Sequence, residues 1–141
     1  RAGVNLALGT DGCASNNDLD MMGEMRTAAL LAKAVANDAS ALDAASSLRA
    51  ATLGGAKALA WDERIGSIEA GKQADLAAVR LGDIETQPMY NVISQLVYAA
   101  ARHQVSDVWI AGQRKLRDRV LVHLDVIELR AMAHRWRERI A

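Results

Sequence analysis

Residues 6–17, LALGTDGCASNN, join a short apolar run to a turn of small and polar residues. With the two residues before it, the run VNLALG (4–9) has the length and composition of a strand buried on both faces. Asp11 follows after Thr10, in an Asp-Gly pair that is typical of turns. These residues leave two interpretations open. In the first, Asp11 only satisfies local backbone donors. In the second, it is a carboxylate at the mouth of a site, where the strands of α/β proteins end.

Two helices are predicted after this loop. Apolar residues recur at three- and four-residue spacing over residues 21–35, which indicates an amphipathic helix. The polar residues 16–18 are its candidate N-caps. Ser40 and Asp43 have the spacing of a capping box and predict a second helix. The pair Gly54-Gly55 is expected to interrupt it before one or two further helical turns.

The second half of the chain favours strands. Two apolar runs, residues 65–68 and 76–81, are separated by turn residues and predict two strands. Residues 90–101 predict a helix, and the following run predicts a hairpin with its tip at Ala111-Gly112. A last helix begins after Asp125 and carries one apolar stripe. The order predicts an α/β chain of two units, residues 1–60 and residues 61–141.

Composition and charge exclude several classes of partner. The chain has 141 residues, of which 51% are hydrophobic, and 17 basic residues balance 17 acidic ones. This balance gives no overall field that favours nucleic acid or an anionic membrane. No apolar run approaches the ~20 residues of a membrane span, and no secretory signal is visible. The single cysteine, Cys13, excludes an intrachain disulfide or a CxxC zinc site and favours the cytoplasm.

Few residues qualify as metal ligands or nucleophiles. Cys13 is predicted to be a small buried filler because no basic residue near it in sequence would lower its pKa. Ser15 and Asn16 are typical helix caps, although they can also shape the floor of a pocket. The histidines have neither His-x-His nor HExxH spacing and are interpreted as solvated or packed residues. They are His103, His123 and His134. A catalytic zinc normally takes three protein ligands, and Asp11 is one candidate.

Several stretches, in this order, resemble the metal-dependent amidohydrolase superfamily. Residues 6–33 are similar to its eighth barrel strand with the loop and helix that follow. Residues 48–79 resemble the passage from the closing helices to a small β-sandwich, and IGSIEAGKQADL (65–76) is the distinctive string within it. ISQLVYAA (93–100) and VSDVWIAGQ (105–113) are similar to the sandwich of 5-methylthioadenosine/S-adenosylhomocysteine deaminases.

The resemblance implies the fold class α/β, as the C-terminal portion of a (β/α)8 TIM barrel plus part of a small composite β-sandwich domain. Residues 1–60 would supply the last strand and closing helices, and residues 61–141 the sandwich part with flanking helices. A complete barrel needs roughly 250 residues. We therefore expect this chain to be the last third of an enzyme. Its expected partners are the upstream part of that enzyme, a nucleoside substrate and a possible second copy.

The resemblance also gives Asp11 a role. It corresponds to the family's strand-eight aspartate, which ligates zinc, contacts substrate and shuttles protons. The implied reaction is zinc-dependent hydrolytic deamination of an adenosine-type ring. The remaining zinc ligands and a catalytic glutamate would lie upstream. The chain alone is therefore expected to bind no catalytic zinc and to deaminate nothing.

Other functions remain open at this point. Related amidohydrolases act on triazines, guanine or cytosine, and the residues that choose between these substrates would lie upstream. In a non-catalytic module, GTDGCASNN (9–17) would be an anion-binding loop at a helix N-terminus. In an assembly unit, the helices flanking the sandwich would form a dimer face.

Overall fold

The computed structural model describes residues 3–140, which form a cluster of helices and one small antiparallel sheet. This combination confirms the predicted α/β class. Two short 3₁₀ turns, Ile84–Thr86 and Arg102–Gln104, flank the fourth helix. The helices and strands, in chain order, are α1 (Met21–Ala36), α2 (Ala44–Ala51), α3 (Leu53–Ala58), β1 (Leu76–Val79), α4 (Val92–Tyr98), β2 (Val105–Ile110), β3 (Gln113–Arg117), β4 (Val120–Leu121) and α5 (Val126–Ile140).

The first two helices form as predicted but begin at different caps. The Asp20 side chain accepts a first-turn backbone N–H of α1 at 3.0 Å, so the predicted caps at residues 16–18 are wrong. Asp43 caps α2, and its Oδ1 accepts a backbone N–H at 2.7 Å. The predicted capping box that starts at Ser40 is also wrong. Ser40 instead donates its N–H and its hydroxyl to Asp38 in the turn between the helices.

The buried core joins three helices. It contains Met25 and Ala29 of α1, Ala44 of α2 and Val97 of α4. The Ser47 hydroxyl donates to the Met25 carbonyl at 2.9 Å and so satisfies a polar group inside this core. Small side chains at the contact allow the helix backbones to approach closely. Helix α4 belongs to the second predicted unit, so this core contains residues of both units. The division at residue 60 stays a prediction.

Residues 4–8 have no regular secondary structure and do not pair as a strand within residues 3–140, so the predicted strand is not formed there. Their contacts are to helices: the Leu8 N–H donates to the Ala50 carbonyl at 3.1 Å, and Asn5 Nδ2 donates to the Gly54 carbonyl at 2.9 Å. A strand needs a ladder partner along its edge, and neither helix offers one. The predicted interruption at Gly54-Gly55 is wrong, because α3 contains both glycines.

Hydrogen exchange should detect this lack of pairing. In the 141-residue chain, we expect the amides of residues 4–7 to exchange rapidly, because Val4 is 84% exposed and no strand in the described part of the chain pairs with these residues. The Leu8 amide should exchange more slowly, because it donates to Ala50. Adding an upstream segment that pairs with this edge should protect all of them. Strong protection of residues 4–7 in the monomeric chain alone would contradict this account.

The first predicted strand of the second half, residues 65–68, is a compact loop instead. Gly66 has a left-handed φ of 88° and lies so close to α3 that a Cβ there would come within 2.6 Å of the Ala56 Cβ. Lys72 reaches back and donates to the Ser67 hydroxyl at 2.6 Å. These contacts hold the segment against α3 rather than in the sheet. The second predicted strand is confirmed, in a shorter form, as β1.

The sheet has the order β1-β2-β3-β4, and all its neighbours are antiparallel. The predicted hairpin is confirmed as β2 and β3. Ala111 and Gly112 at its tip have φ values of 49° and 77°, as a two-residue type I′ turn requires. The predicted helix of residues 90–101 is confirmed as α4.

The last helix is confirmed but contributes no buried residue. Asp125 accepts the Ile127 N–H at 2.8 Å at its start. The predicted apolar stripe faces solvent, and Trp136 within it is 54% exposed. No helix within residues 3–140 combines the length and the apolar character needed to cross a membrane.

One polar cluster fastens the hairpin. Arg114 Nε donates to Asp107 Oδ1 at 3.1 Å, and Arg114 Nη2 donates to the same oxygen. The Ser106 hydroxyl donates to Asp107 Oδ2 at 2.7 Å, and the Asp118 N–H donates to Oδ1 at 3.2 Å. The Arg114 guanidinium, followed by the Ser106 hydroxyl, lowers the pKa of Asp107 from 3.8 to about 2.

This pKa predicts a pH dependence of stability. Because the folded-state pKa lies below the unfolded value, Asp107 stabilises the fold fully above pH 3.8, and this contribution is lost as the pH falls to about 2. Urea unfolding across this window should therefore show a steeper loss of unfolding free energy for the wild type than for Asp107→Asn. Equal slopes for the two proteins would contradict the assignment.

Candidate active-site loop

Asp11 lies in the loop between residues 4–8 and α1. We call residues 10–16 the Asp11 loop. Asp11 has a left-handed φ of 59°, and its side chain is exposed. Its Oδ1 accepts the Gly12 N–H at 2.7 Å, and its Oδ2 accepts the Ser15 hydroxyl at 2.6 Å. The N–H groups of Ser15 and Asn16 both donate to the Gly12 carbonyl, at 3.1 and 2.9 Å, and close the turn. These bonds fix the carboxylate relative to its own loop.

The loop keeps the carboxylate ionised. The hydrogen bond from the Ser15 hydroxyl, and next the one from the Gly12 amide, lower the pKa of Asp11 below its ordinary value. Each carboxylate oxygen has two lone pairs, so one donor on each leaves room for a further partner. A charged, exposed carboxylate of this kind can ligate a cation or accept a proton.

Asp11 fits one position of a zinc site. Zinc takes aspartate oxygens as ligands, and the ionised state of Asp11 suits that role. Within residues 3–140, however, no three His, Cys, Asp or Glu side chains group closely enough to hold a metal ion. Any zinc bound at Asp11 would therefore need ligands from outside the described part of the chain.

The other candidate residues have different outcomes. Cys13 is exposed, so its prediction as a buried filler is wrong: the loop turns its small side chains outward. All three histidines are exposed, in agreement with their interpretation as solvated residues. Ser15, which had no assigned contact, is the direct partner of the Asp11 carboxylate.

Two further residues organise the loop. Asn16 Nδ2 donates to the Thr10 carbonyl at 2.9 Å and to Glu24 Oε1 at 2.8 Å. The sequence pattern did not reveal Glu24, although an acidic residue in the first turn of a helix is a usable signal. Its partner Asn16 lies eight residues before it, and this separation matches neither helical nor strand spacing.

An apolar groove of about 660 Å³ lies between α1, α2, α3 and β1. Met22, Leu48 and Leu76 are among the residues that line it, and Asp11 is not. The groove holds few ionisable groups, so the candidate chemistry belongs to the Asp11 loop.

Comparison with known proteins decides the family. The model of the amidohydrolase family matches residues 1–115. The chain belongs to the amidohydrolase family. The predicted resemblance is therefore confirmed. Over 138 residues, covering 98% of this chain, it is 50% identical to a 5-methylthioadenosine/S-adenosylhomocysteine deaminase of Teredinibacter turnerae. A protein of the same name from Syntrophobacter fumaroxidans is 49% identical over 90% of this chain.

Solved amidohydrolase structures have the same fold. An adenosine deaminase from Xanthomonas campestris with bound zinc matches 99% of this chain with a TM-score of 0.96 and 68% identity. A zinc complex of atrazine chlorohydrolase from Arthrobacter aurescens matches 94% with a TM-score of 0.87 and 28% identity. The chain spans 31% of the Teredinibacter protein and 32% of the Xanthomonas chain. The chain thus spans about a third of the length of these two relatives.

Proposed function

We propose that this chain is the C-terminal third of a zinc-dependent deaminase that hydrolyses 5-methylthioadenosine and S-adenosylhomocysteine. One observation carries the proposal: an exposed Asp11 carboxylate, whose pKa its loop lowers, lies in a chain 68% identical to a zinc-bound adenosine deaminase. The identities to proteins named 5-methylthioadenosine/S-adenosylhomocysteine deaminase support the substrate class.

In this proposal, residues 1–60 supply the last strand of a TIM barrel and its closing helices, and residues 61–141 supply part of the sandwich. Two features of residues 4–8 support it. They pair with no strand within the described residues 3–140, and Val4 and Leu6 are 84% and 51% exposed. Strands upstream would pair with these residues and cover their apolar side chains. A cytoplasmic location and a homo-oligomer stay predictions.

Asp11 has two tasks in the reaction. Zinc, when bound, supplies Lewis-acid activation and lowers the pKa of water. One Asp11 oxygen would serve as a ligand, and the carboxylate would accept the proton that the attacking water loses. The water oxygen bonds to the ring carbon that carries the amine, and the electron pair of that carbon's double bond moves to the ring nitrogen, which the upstream glutamate would protonate. Asp11 would pass the proton it accepted to the amine, the carbon–amine bond breaks, and ammonia leaves as the new hydroxyl returns a proton to the glutamate and becomes a carbonyl. The Ser15 hydroxyl would orient Asp11 Oδ2 through the hydrogen bond it donates.

Two alternatives have less support. The similarity to the atrazine chlorohydrolase, at 28% identity, is far lower than that to the adenosine deaminase, at 68%. An anion-binding loop is disfavoured by charge. The Asp20 side chain already accepts a first-turn N–H of α1, Glu24 lies in the first turn, and Asp11 and Asp18 are close in sequence. An incoming anion would meet negative charge at this helix end.

Ammonia release tests the proposed function. The full-length enzyme that carries this chain should deaminate 5-methylthioadenosine and S-adenosylhomocysteine, lose activity with a zinc chelator and regain it when zinc is returned. The 141-residue chain alone is the control and should bind no zinc stoichiometrically. A zinc-loaded full-length enzyme that releases no ammonia from either nucleoside, or that prefers a triazine, would overturn the proposal.

A further inference from the structure

Asn16 connects the Asp11 loop to α1 through a single side-chain amide. Its Nδ2 has two hydrogens, one for the Thr10 carbonyl at 2.9 Å and one for Glu24 Oε1 at 2.8 Å. Both partners are acceptors only, so the amide nitrogen, not its oxygen, must face them. Thr10 precedes Asp11 directly, and Glu24 lies in the first turn of α1. The bridge thus joins the peptide before Asp11 to a rigid helix.

The Asp11 carboxylate depends on such an external support. Its own bonds, to Gly12 and Ser15, stay within the loop and do not fix the loop relative to α1. Aspartate tolerates a left-handed φ because its side chain bonds locally, so the backbone at Asp11 needs no support of its own, but the position of the loop relative to α1 does. The ion pair between Asp18 and Arg102 is another tether, but both side chains are more than half exposed, which weakens it. The bridge through Asn16 is half-buried.

We propose that Asn16 and Glu24 are positioning residues for Asp11. Asn16 holds the Thr10–Asp11 peptide, and Glu24 holds Asn16, so the carboxylate keeps a fixed place relative to α1. Neither residue need touch the substrate. This inference rests on the proposed function, because it assigns the residues a role toward zinc binding and proton transfer by Asp11. Glu24 suits its task, because the N-terminal end of a helix stabilises its negative charge.

The hydrogen bonds of the bridge predict different effects for different substitutions. Asn16→Ala and Glu24→Ala each remove one half of it. Glu24→Gln keeps an amide oxygen that can accept the Asn16 hydrogen, so it should preserve the bridge. Glu63 is exposed and follows α3, far along the chain from the Asp11 loop, and Glu63→Ala is the matched control.

The experiment uses the full-length enzyme and measures kcat, KM for 5-methylthioadenosine, the zinc dissociation constant by chelator competition, and the thermal midpoint. Loss of a group that orients a metal ligand typically lowers metal affinity or activity about 10–100-fold. We expect losses of that size in kcat and zinc affinity for Asn16→Ala and Glu24→Ala, with little change in KM. Glu24→Gln and Glu63→Ala should behave like the wild type.

Three results would overturn the inference: wild-type kcat and zinc affinity in Asn16→Ala, the same in Glu24→Ala, or a Glu24→Gln variant as impaired as Glu24→Ala. If Asn16→Ala fails to fold, the two Glu24 variants decide. A wild-type enzyme that binds zinc but releases no ammonia would overturn only the proposed reaction. The zinc dissociation constants of the variants would then still test whether Asn16 and Glu24 position Asp11. A wild-type enzyme that neither binds zinc nor releases ammonia would overturn both proposals.

Discussion

Replacing Asp11 with Asn in the full-length enzyme should lower kcat by about 10²–10⁴-fold, the usual contribution of a general base. The amide keeps the shape of the side chain, but it cannot accept the proton from water and is a poorer zinc ligand. Asn tolerates a left-handed backbone as Asp does, so the φ of 59° gives no reason for misfolding. The measurements are the rate of ammonia release and the thermal midpoint.

Asp38→Asn is the matched control. Asp38 is also exposed, and its Oδ1 accepts the Ser40 N–H at 2.8 Å and the Ser40 hydroxyl at 2.7 Å. It therefore has a similar set of donors, but lies beyond the opposite end of α1. We expect its kcat to equal that of the wild type. An Asp11→Asn enzyme within a fewfold of wild-type turnover would make Asp11 an ordinary turn residue.

Gly54→Ala should lower the unfolding free energy by about 1–3 kcal/mol, as overpacking at a close contact does. A Cβ at Gly54 would lie well inside van der Waals contact with the Leu6 carbonyl oxygen and 3.0 Å from the Arg49 carbonyl oxygen. Both are backbone atoms, so neither can rotate away. Residues 4–8, which lead to Asp11, must shift, and kcat should fall together with stability.

Gly55→Ala is the control at the neighbouring position, and its effect on the unfolding free energy should have the opposite sign. The nearest atom to a Cβ there is the Ala50 carbonyl oxygen at 3.8 Å, an ordinary contact. Alanine is favoured over glycine inside a helix by about 0.5–1 kcal/mol, so this variant should be slightly more stable. Urea unfolding of both variants is the measurement. A neutral Gly54→Ala, or the same sign for both, would contradict the close approach of residues 4–8 to α3.

The elements that sequence predicted well are those determined by nearby residues. Helix α1 follows from its apolar periodicity. The β2–β3 hairpin follows from Ala111-Gly112, whose glycine suits a two-residue turn. Residues 65–68 have the apolar pattern of a strand, but distant contacts decide their structure. Gly66 rests on Ala56, and Lys72 reaches back to Ser67. Local patterns contain no information about such contacts.

The site was predictable only in part. The residues around Asp11 left its role open, and the family resemblance pointed to a zinc ligand, which stays a prediction. The link between Asn16 and Glu24 spans eight residues across a loop and follows no period, so no pattern in the sequence predicted it. The exposure of Cys13 was missed because a small residue in an irregular loop carries no signal for burial.

Diffraction from crystals of the zinc-loaded full-length enzyme, recorded at the zinc absorption edge, would locate the zinc ion relative to Asp11. We expect an anomalous peak with an Asp11 carboxylate oxygen about 2.0–2.2 Å away, the distance of an aspartate–zinc bond. A zinc ion whose ligands do not include Asp11 would contradict this expectation.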